Sequence, residues 1–339
     1  MILNMMKRNI LLAALAAVIL PGCAKTPATV PNDAKKAFLE AWIEIHHPKA
    51  TKTGMGAYVL DESAGQGASL GDRVLSPYVR VNYTVTDLDG TVKETNSEAL
   101  AKQLGTYKEN NFYGPKIWTR LGYGIPAGVE EALSTMKVGG RKVVMIPGWL
   151  LSTKEYADAE DYYKQASGDD AIYTIEAVDR IGDIVKWEVD SLCAYMQRNF
   201  PSVALKDSLK NGFYYVRSAA PKDTCGFKKD TTIYVNYIGR LLNGTVFDTN
   251  IADTAKFYGI YERGKSYGPS SVTCNSDYAS TKMGSSSLID GFAFTIAQMH
   301  SFEKGTGIFY SAYGYEYSGS GETIPPYSPL RFDIEIVSQ

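Results

Sequence analysis

The chain has 339 residues, 45% of them hydrophobic and 21% charged, with 35 Lys and Arg against 37 Asp and Glu. That length is enough for two domains. The near balance of charge offers neither a basic stripe for nucleic acid nor an acidic tail, and the many Tyr and Gly residues suit a β-rich fold with frequent turns.

Residues 1–23 read as a targeting segment. Lys7-Arg8 is a basic start, Asn9 to Leu20 an apolar run too short to span a bilayer comfortably, and Leu20-Pro21-Gly22-Cys23 its end. This ending resembles a bacterial lipoprotein signal, with Cys23 the lipidated first residue and Pro21 a departure from the usual small or β-branched residue. The resemblance implies an exported protein, lipid-anchored to the cell envelope at the outer membrane or periplasm, and acyl chains there would hold it stably. Residues 24–33, rich in Thr, Pro and Ala, are a tether.

A first unit is expected over 34–181. Asp33 can cap a helix with Phe38, Leu39, Trp42 and Ile43 at helical spacing. His46 and His47 follow, but adjacent residues point about 100° apart on a helix, a poor arrangement for a metal. Gly56 to Val59 opens the strands, and Val79 to Asn96 is a hairpin with Asp89-Gly90 at its turn. Ser97 to Gly124 reads as a long insertion containing Tyr113-Gly114-Pro115. Ile125 to Leu133 is a short helix with its entry, ended by Gly139-Gly140. Arg141 to Pro147 and Ala171 to Asp179 are strands, with a polar loop or short helix between them at Tyr156 to Gly168.

A second unit is expected over 182–339. Ile184 to Phe200 is amphipathic and reads as a packing strut, and Gly212 to Val216 is an opening strand. In Ile233 to Asp248, apolar residues alternate with the period of a half-buried strand, and Asn243-Gly244 predicts a type I′ turn. The return strand brings Phe247 and Asp248 beside Tyr237. Ile251 to Ser287, rich in Gly, Ser and Tyr, predicts an exposed, adaptable loop. Leu288 to Phe292 leads a helical turn to Met299. Ile308 to Tyr310, the loop Tyr313-Gly314-Tyr315, Ile324-Pro325-Pro326 and a strand Leu330 to Val337 close the chain. Val81-Asn82-Tyr83, Thr91-Val92 and Thr95-Asn96 lie 154 positions before Val235-Asn236-Tyr237, Thr245-Val246 and Thr249-Asn250, an ungapped match that implies an internal duplication. Cys225 and Cys274 could pair in an oxidising compartment, or stay free thiols like Cys193. No Cys-x-x-Cys occurs, so zinc and redox sites are not expected.

The blocks Val235-Asn236-Tyr237-Ile238-Gly239, Asn243-Gly244-Thr245-Val246-Phe247-Asp248, Leu288-Ile289-Asp290-Gly291-Phe292, Met299, Tyr315, Ile324-Pro325-Pro326 and Leu330 to Ile336 together resemble the FKBP-type peptidyl-prolyl isomerases, over about Leu209 to Val337. The resemblance implies an α+β fold: two FKBP-like domains, each an antiparallel curved sheet wrapped on a short helix, with an extra amphipathic helix before each. It implies Tyr237, Phe247, Asp248, Ile289, Phe292, Tyr315 and Phe332 as catalytic residues, with Leu288 and Ile324 touching substrate. The Ile289 N–H and the Tyr315 hydroxyl would bind the substrate backbone, and Asp248 would fix the pocket edge. No cofactor or metal is implied. The departures are Phe292 for the family's floor Trp, Glu316 for the Gly after the loop Tyr, and Thr323 for an Ile. In the first unit Phe-Asp is Lys93-Glu94 and the floor is Val129, so that copy is expected not to be an isomerase.

An X-Pro amide turns over a barrier of about 18–20 kcal/mol. Twisting it removes resonance and lowers its dipole, so a dry aromatic basin stabilises the twisted state over the planar ones. The reading is therefore an isomerase acting on proline-containing polypeptides. Its alternatives are a non-catalytic peptide-binding envelope lipoprotein and, more remotely, a purely structural one. The sequence assigns no oligomeric state.

Overall fold

The computed structural model describes residues 32–122, 124–205, 208–209, 211–222, 226–275 and 280–338. The signal segment, Cys23 and Cys225 lie outside the described residues. The expected pairing therefore has only one described member, Cys274, which carries a buried free thiol. Burial pushes that thiol up to about 11.

The chain begins with α1 (Asp33–His46), which buries Leu39 and Ile43. Asp33 is its first residue and not its cap. The capping position is Asn32, whose side chain makes no cap bond. It donates instead to the carbonyls of Tyr163 and Ala166, while Asp33 accepts from the Tyr163 hydroxyl. Rings of His46 and His47 lie against Trp42. There follow β1 (Thr51–Lys52), β2 (Tyr58–Ser63), β3 (Tyr78–Thr86), β4 (Val92–Thr95), α2 (Glu98–Gln103), β5 (Lys116–Thr119), α3 (Ala127–Ser134), β6 (Arg141–Ile146), α4 (Ala159–Gln165) and β7 (Ala171–Ile181). The second half runs α5 (Ile184–Asn199), β8 (Phe213–Ala219), β9 (Thr232–Leu241), β10 (Val246–Thr249), α6 (Ala252–Phe257), β11 (Ser270–Thr273), β12 (Lys282–Met283), β13 (Ser286–Ser287), α7 (Asp290–Ala297), β14 (Lys304–Phe309) and β15 (Leu330–Val337).

The fold is α+β, with two antiparallel sheets among the described residues. One runs β1-β2-β6-β7-β3-β4 with β5 also on β3. The other runs β13-β12-β11-β9-β15-β14-β8 with β10 also on β9. The inner order β2-β6-β7-β3 of the first repeats as β8-β14-β15-β9 in the second. Alternation makes each sheet one-sided: Val79, Val81, Tyr83 and Val85 of β3 are buried, as are Leu330, Phe332, Ile334 and Ile336 of β15. Each such apolar side chain contributes roughly 1.5–3 kcal/mol on burial. The two sheets build separate cores, and α5 adds a smaller cluster of Leu192, Tyr195 and Met196 against Tyr214 and Ile308.

Two further expectations are corrected. The β9–β10 turn is not type I′. Gly244 has φ +97° but Asn243 is not among the positive-φ residues, and the Gly244 N–H donates to the Leu241 carbonyl. A three-residue loop with glycine in the left-handed position results, the next commonest hairpin solution. The segments after each hairpin are also not loose loops. In the second repeat, α6 leads to β11, which pairs with β9 and buries Val272. The first repeat places α2 and β5 at positions 154 residues earlier. Even the stacked rings recur, Tyr107 on Tyr113 and Tyr261 on Tyr267. The polar composition hid this order because backbone bonds and ring stacking hold these segments more than an apolar stripe does.

Candidate active site

Strands β9 and β10 form one wall. Between Val246 and Asp248 the pairing slips by one residue, so that two residues of β10 face one of β9. In a regular strand Phe247 and Asp248 would point to opposite faces; the bulge lets both serve the same edge. The Tyr237 hydroxyl donates to Asp248 Oδ2 at 2.7 Å. The Phe247 ring meets Phe332 edge-on with centroids 5.6 Å apart. Its other contact explains the glycine of Val-x-Tyr-x-Gly: a Cβ on Gly239 would lie 2.6 Å from the Phe247 ring and 3.0 Å from Phe332.

The floor comes from α7 and β15. Phe292 packs edge-on against Phe332 at 5.1 Å and Tyr237 at 5.6 Å. Phe292 and Phe332 are 3% and 5% exposed, so aromatic neighbours enclose the floor and leave it little contact with water. Ile289 sits at the N-cap of α7 with φ −64° and ψ 146°, its carbonyl accepting from the Phe292 and Ala293 N–H groups. Leu288, Ile289, Tyr315, Tyr237 and Phe247 are half-buried around the same core, and Ile324 is buried. The structure thus brings together all nine residues expected in the second repeat.

Burial and the Asp248 carboxylate push the Tyr237 hydroxyl well above the usual tyrosine range and raise that of Tyr315, so both are protonated donors at neutral pH. The loop carrying Tyr315 is held from behind. Buried Glu188 of α5 accepts from the Ser311 N–H at 2.6 Å and the Ser311 hydroxyl at 2.8 Å. This gives the amphipathic helix a task beyond packing.

Sequence reasoning missed three residues. Asn250 accepts from the Tyr237 N–H and donates to the Val235 carbonyl, both at 2.8 Å. Asn96 does the same for Tyr83 and Val81, so the duplicated Thr-Asn pair was the available signal. Lys265 reaches Asp248 Oδ1 at 2.5 Å, a contact no local pattern announces. Glu188 lies 123 residues from its partner.

Glu316 occupies the position of the family's glycine and adopts φ +49°. A residue with a Cβ is disfavoured there by about 1–2 kcal/mol. Glu316→Gly is therefore expected to stabilise the second half by about 1 kcal/mol in urea unfolding, after the glycine's extra freedom in the unfolded chain is subtracted. A loss of stability would show that the Glu316 side chain has a compensating contact.

The first repeat keeps the pair, Tyr83 donating to Glu94, but not the basin. Lys93 takes the bulge position of Phe247. Val85 stands where Gly239 admits that ring, and Val129 where Phe292 forms the floor. The N-cap of α3 is Pro126, with φ −61° and ψ 151°. Proline has no N–H to offer a substrate carbonyl.

The sequence profile of the family described as FKBP-type peptidyl-prolyl cis-trans isomerase matches residues 226–337. A macrophage infectivity potentiator of Trypanosoma cruzi is 29% identical over 130 residues, covering 38% of this chain and 54% of the relative. The chain thus spans about half the length of that curated relative. Among solved structures, the three FKBP domains of wheat FKBP73 align at 15% identity, over 85% of this chain and 98% of that one, with a TM-score of 0.30. A peptidyl-prolyl cis-trans isomerase from Pseudomonas syringae pv. tomato aligns at 19% identity, over 45% and 94%, with a TM-score of 0.32.

Proposed function

With residues 226–337 forming an FKBP-type peptidyl-prolyl cis-trans isomerase domain, we propose that the second repeat turns X-Pro bonds in polypeptides and that the first repeat does not. The observation that carries this reading is the convergence of Tyr237, Phe247, Phe292 and Phe332 in one aromatic cluster with a hydrogen-bonded acid at its edge. No nucleophile is needed. The planar amide is stabilised by resonance and by water around its dipole, and both fade as the bond twists. Aromatic walls replace that water with a surface that suits the twisted, less dipolar state. The Ile289 N–H and the Tyr315 hydroxyl are the donors that would hold the peptide on either side of the bond, and Leu288 and Ile324 would flank the ring. Asp248 fixes the Tyr237 ring through its hydroxyl.

A second reading is a module that holds proline segments without turning them. The Lys265 ion pair on Asp248 favours it, since that acid is already engaged from the loop. Phe247→Ala separates the two. In a protease-free assay the isomerase reading expects kcat/KM to fall about tenfold or more, equivalent to about 1.4 kcal/mol of transition-state stabilisation. An unchanged rate would place any turnover elsewhere. The exported, lipid-anchored setting rests on the Lys7 to Cys23 pattern. Among the described residues no helix is long and apolar enough to cross a membrane. Labelled fatty acid incorporated by the parent chain and not by Cys23→Ser would support the anchor; equal incorporation would refute it.

A further inference from the structure

The first repeat has lost its basin, yet its Tyr83 is not idle. Two residues of β5 gather on the ring: Trp118 at 4.8 Å between centroids, and Lys116 with Nζ 5.8 Å from the centroid. Lys116 is only 9% exposed. Its ammonium reaches out of the first repeat to Glu322 Oε2 of the second at 2.8 Å. Three more contacts join the same surfaces. The Phe112 N–H donates to the Glu322 carbonyl at 2.8 Å. The Thr119 hydroxyl meets the Tyr327 hydroxyl at 3.0 Å, and the Tyr78 ring meets the Tyr327 ring edge-on at 5.3 Å. The Phe112 side chain belongs to the first repeat by sequence but packs against the core of the second. At the duplicated positions, 154 residues on, Phe112, Lys116 and Trp118 are replaced by Ser266, Ser270 and Val272. These contacts are therefore peculiar to the first copy.

Glu322 and Tyr327 bracket Ile324-Pro325-Pro326, the segment whose Ile324 borders the basin. This loop is costly to hold. Glu316 and Tyr327 both have positive φ, +49° and +56°, and the Tyr327 N–H donates to the Glu316 carbonyl at 2.8 Å. Each such non-glycine conformation is strained and persists only where its surroundings over-determine it. Bonds within the second repeat, Glu316 N–H to the Ser311 carbonyl among them, supply part of those surroundings, and the other repeat supplies the contacts at Glu322 and Tyr327.

We propose that the first repeat is a positioning module: Lys116 and Phe112 grip the loop from Glu316 to Ser328 and hold Ile324 and Tyr315 against the basin of the second repeat. Tyr83 and Trp118 are the platform under Lys116. The role is to shape the rim that meets the peptide, so its loss acts on binding before it acts on the bond-twisting step. This inference rests on reading the second repeat as the proline-peptide site.

The test uses the full chain carrying Lys116→Glu, Glu322→Lys, or both, with Phe112→Ala as an independent variant and thermal unfolding as a check that each is folded. Two quantities are measured on an Ala-Leu-Pro-Phe tetrapeptide: KM and kcat in a protease-free assay, and Kd by NMR titration. Each single charge reversal is expected to raise KM and Kd about three- to tenfold with kcat within about twofold, and the double reversal to return both to near the parent. Phe112→Ala is expected to raise them similarly. Singles indistinguishable from the parent, a double reversal no better than the singles, or tighter binding on release of the grip would each overturn the proposal. Absence of turnover in the parent would sink the isomerase reading instead, and Kd would still decide whether the first repeat sets the rim.

Discussion

Ile289→Pro should cost the chain about tenfold or more in kcat/KM while leaving it folded, because it removes the N–H and trades a half-buried isoleucine side chain for the smaller apolar proline ring. Ile289 already has the backbone angles a proline prefers, φ −64° and ψ 146°. The first repeat supplies the precedent, with Pro126 at the corresponding N-cap at φ −61° and ψ 151°. The Ile289 carbonyl, which starts α7 by accepting from Phe292 and Ala293, is untouched by the change. Proline also asks the preceding residue, here Leu288, to be extended. The substitution therefore converts the donor of the second site into the donorless arrangement of the first. Rates come from the protease-free assay, and integrity from thermal unfolding. If the folded variant turns over at the parental rate, no substrate carbonyl is bound at Ile289 and the proposed substrate pose is wrong.

Arg120→Met should be the most damaging single change to the first repeat. Arg120 is 1% exposed. Its guanidinium makes a two-point contact with Glu130, Nε to Oε2 at 2.8 Å and Nη2 to Oε1 at 2.7 Å. Nη1 donates to the Leu70 carbonyl at 2.7 Å and to the Ser76 carbonyl at 3.3 Å. One side chain thus joins the end of β5, the start of α3 and the loop before β3. Removing it leaves a carboxylate and two carbonyls without their partner, a loss of about 3–5 kcal/mol for a broken buried pair. Urea unfolding followed by hydrogen exchange should show the amides of β3 and β7 losing protection at lower denaturant, with those of β14 and β15 little changed. An unmoved transition would mean that water or a shifted loop satisfies Glu130 and the carbonyls.

Much of the second repeat was legible because its signals are local. Alternation along Ile233 to Ile238 placed the core face of β9, and Asn243-Gly244 marked the reversal that returns Phe247 and Asp248 to Tyr237. The turn type was misread because a two-residue and a three-residue loop share the same Asn-Gly signature, and only the dihedral of Asn243 separates them. The segments after the hairpins were misread as loops because little in their composition is apolar. Part of their order comes from Asn96 and Asn250, each tying the central strand to the insertion with one buried amide. The ungapped offset held the remedy: it continues through Tyr107 and Tyr113 to Tyr261 and Tyr267, and paired aromatics at fixed spacing mark a built unit. The Lys116–Glu322 contact spans 206 residues and left no local trace. Two oppositely charged residues in different repeats become partners only once both sheets have formed. The same holds for Lys265, whose approach to Asp248 depends on the path of the segment after α6.

The central claim is that the basin of Tyr237, Phe247, Phe292 and Phe332 lowers the barrier to turning an X-Pro bond. Exchange NMR on an Ala-Leu-Pro-Phe peptide with a catalytic amount of the full chain measures this with no coupling enzyme. The account predicts cis and trans proline signals interconverting many times faster than the unaided tens to hundreds of seconds, with that acceleration largely lost in Phe247→Ala. An exchange rate equal to that of peptide alone, from a folded chain that still binds the peptide, would contradict it.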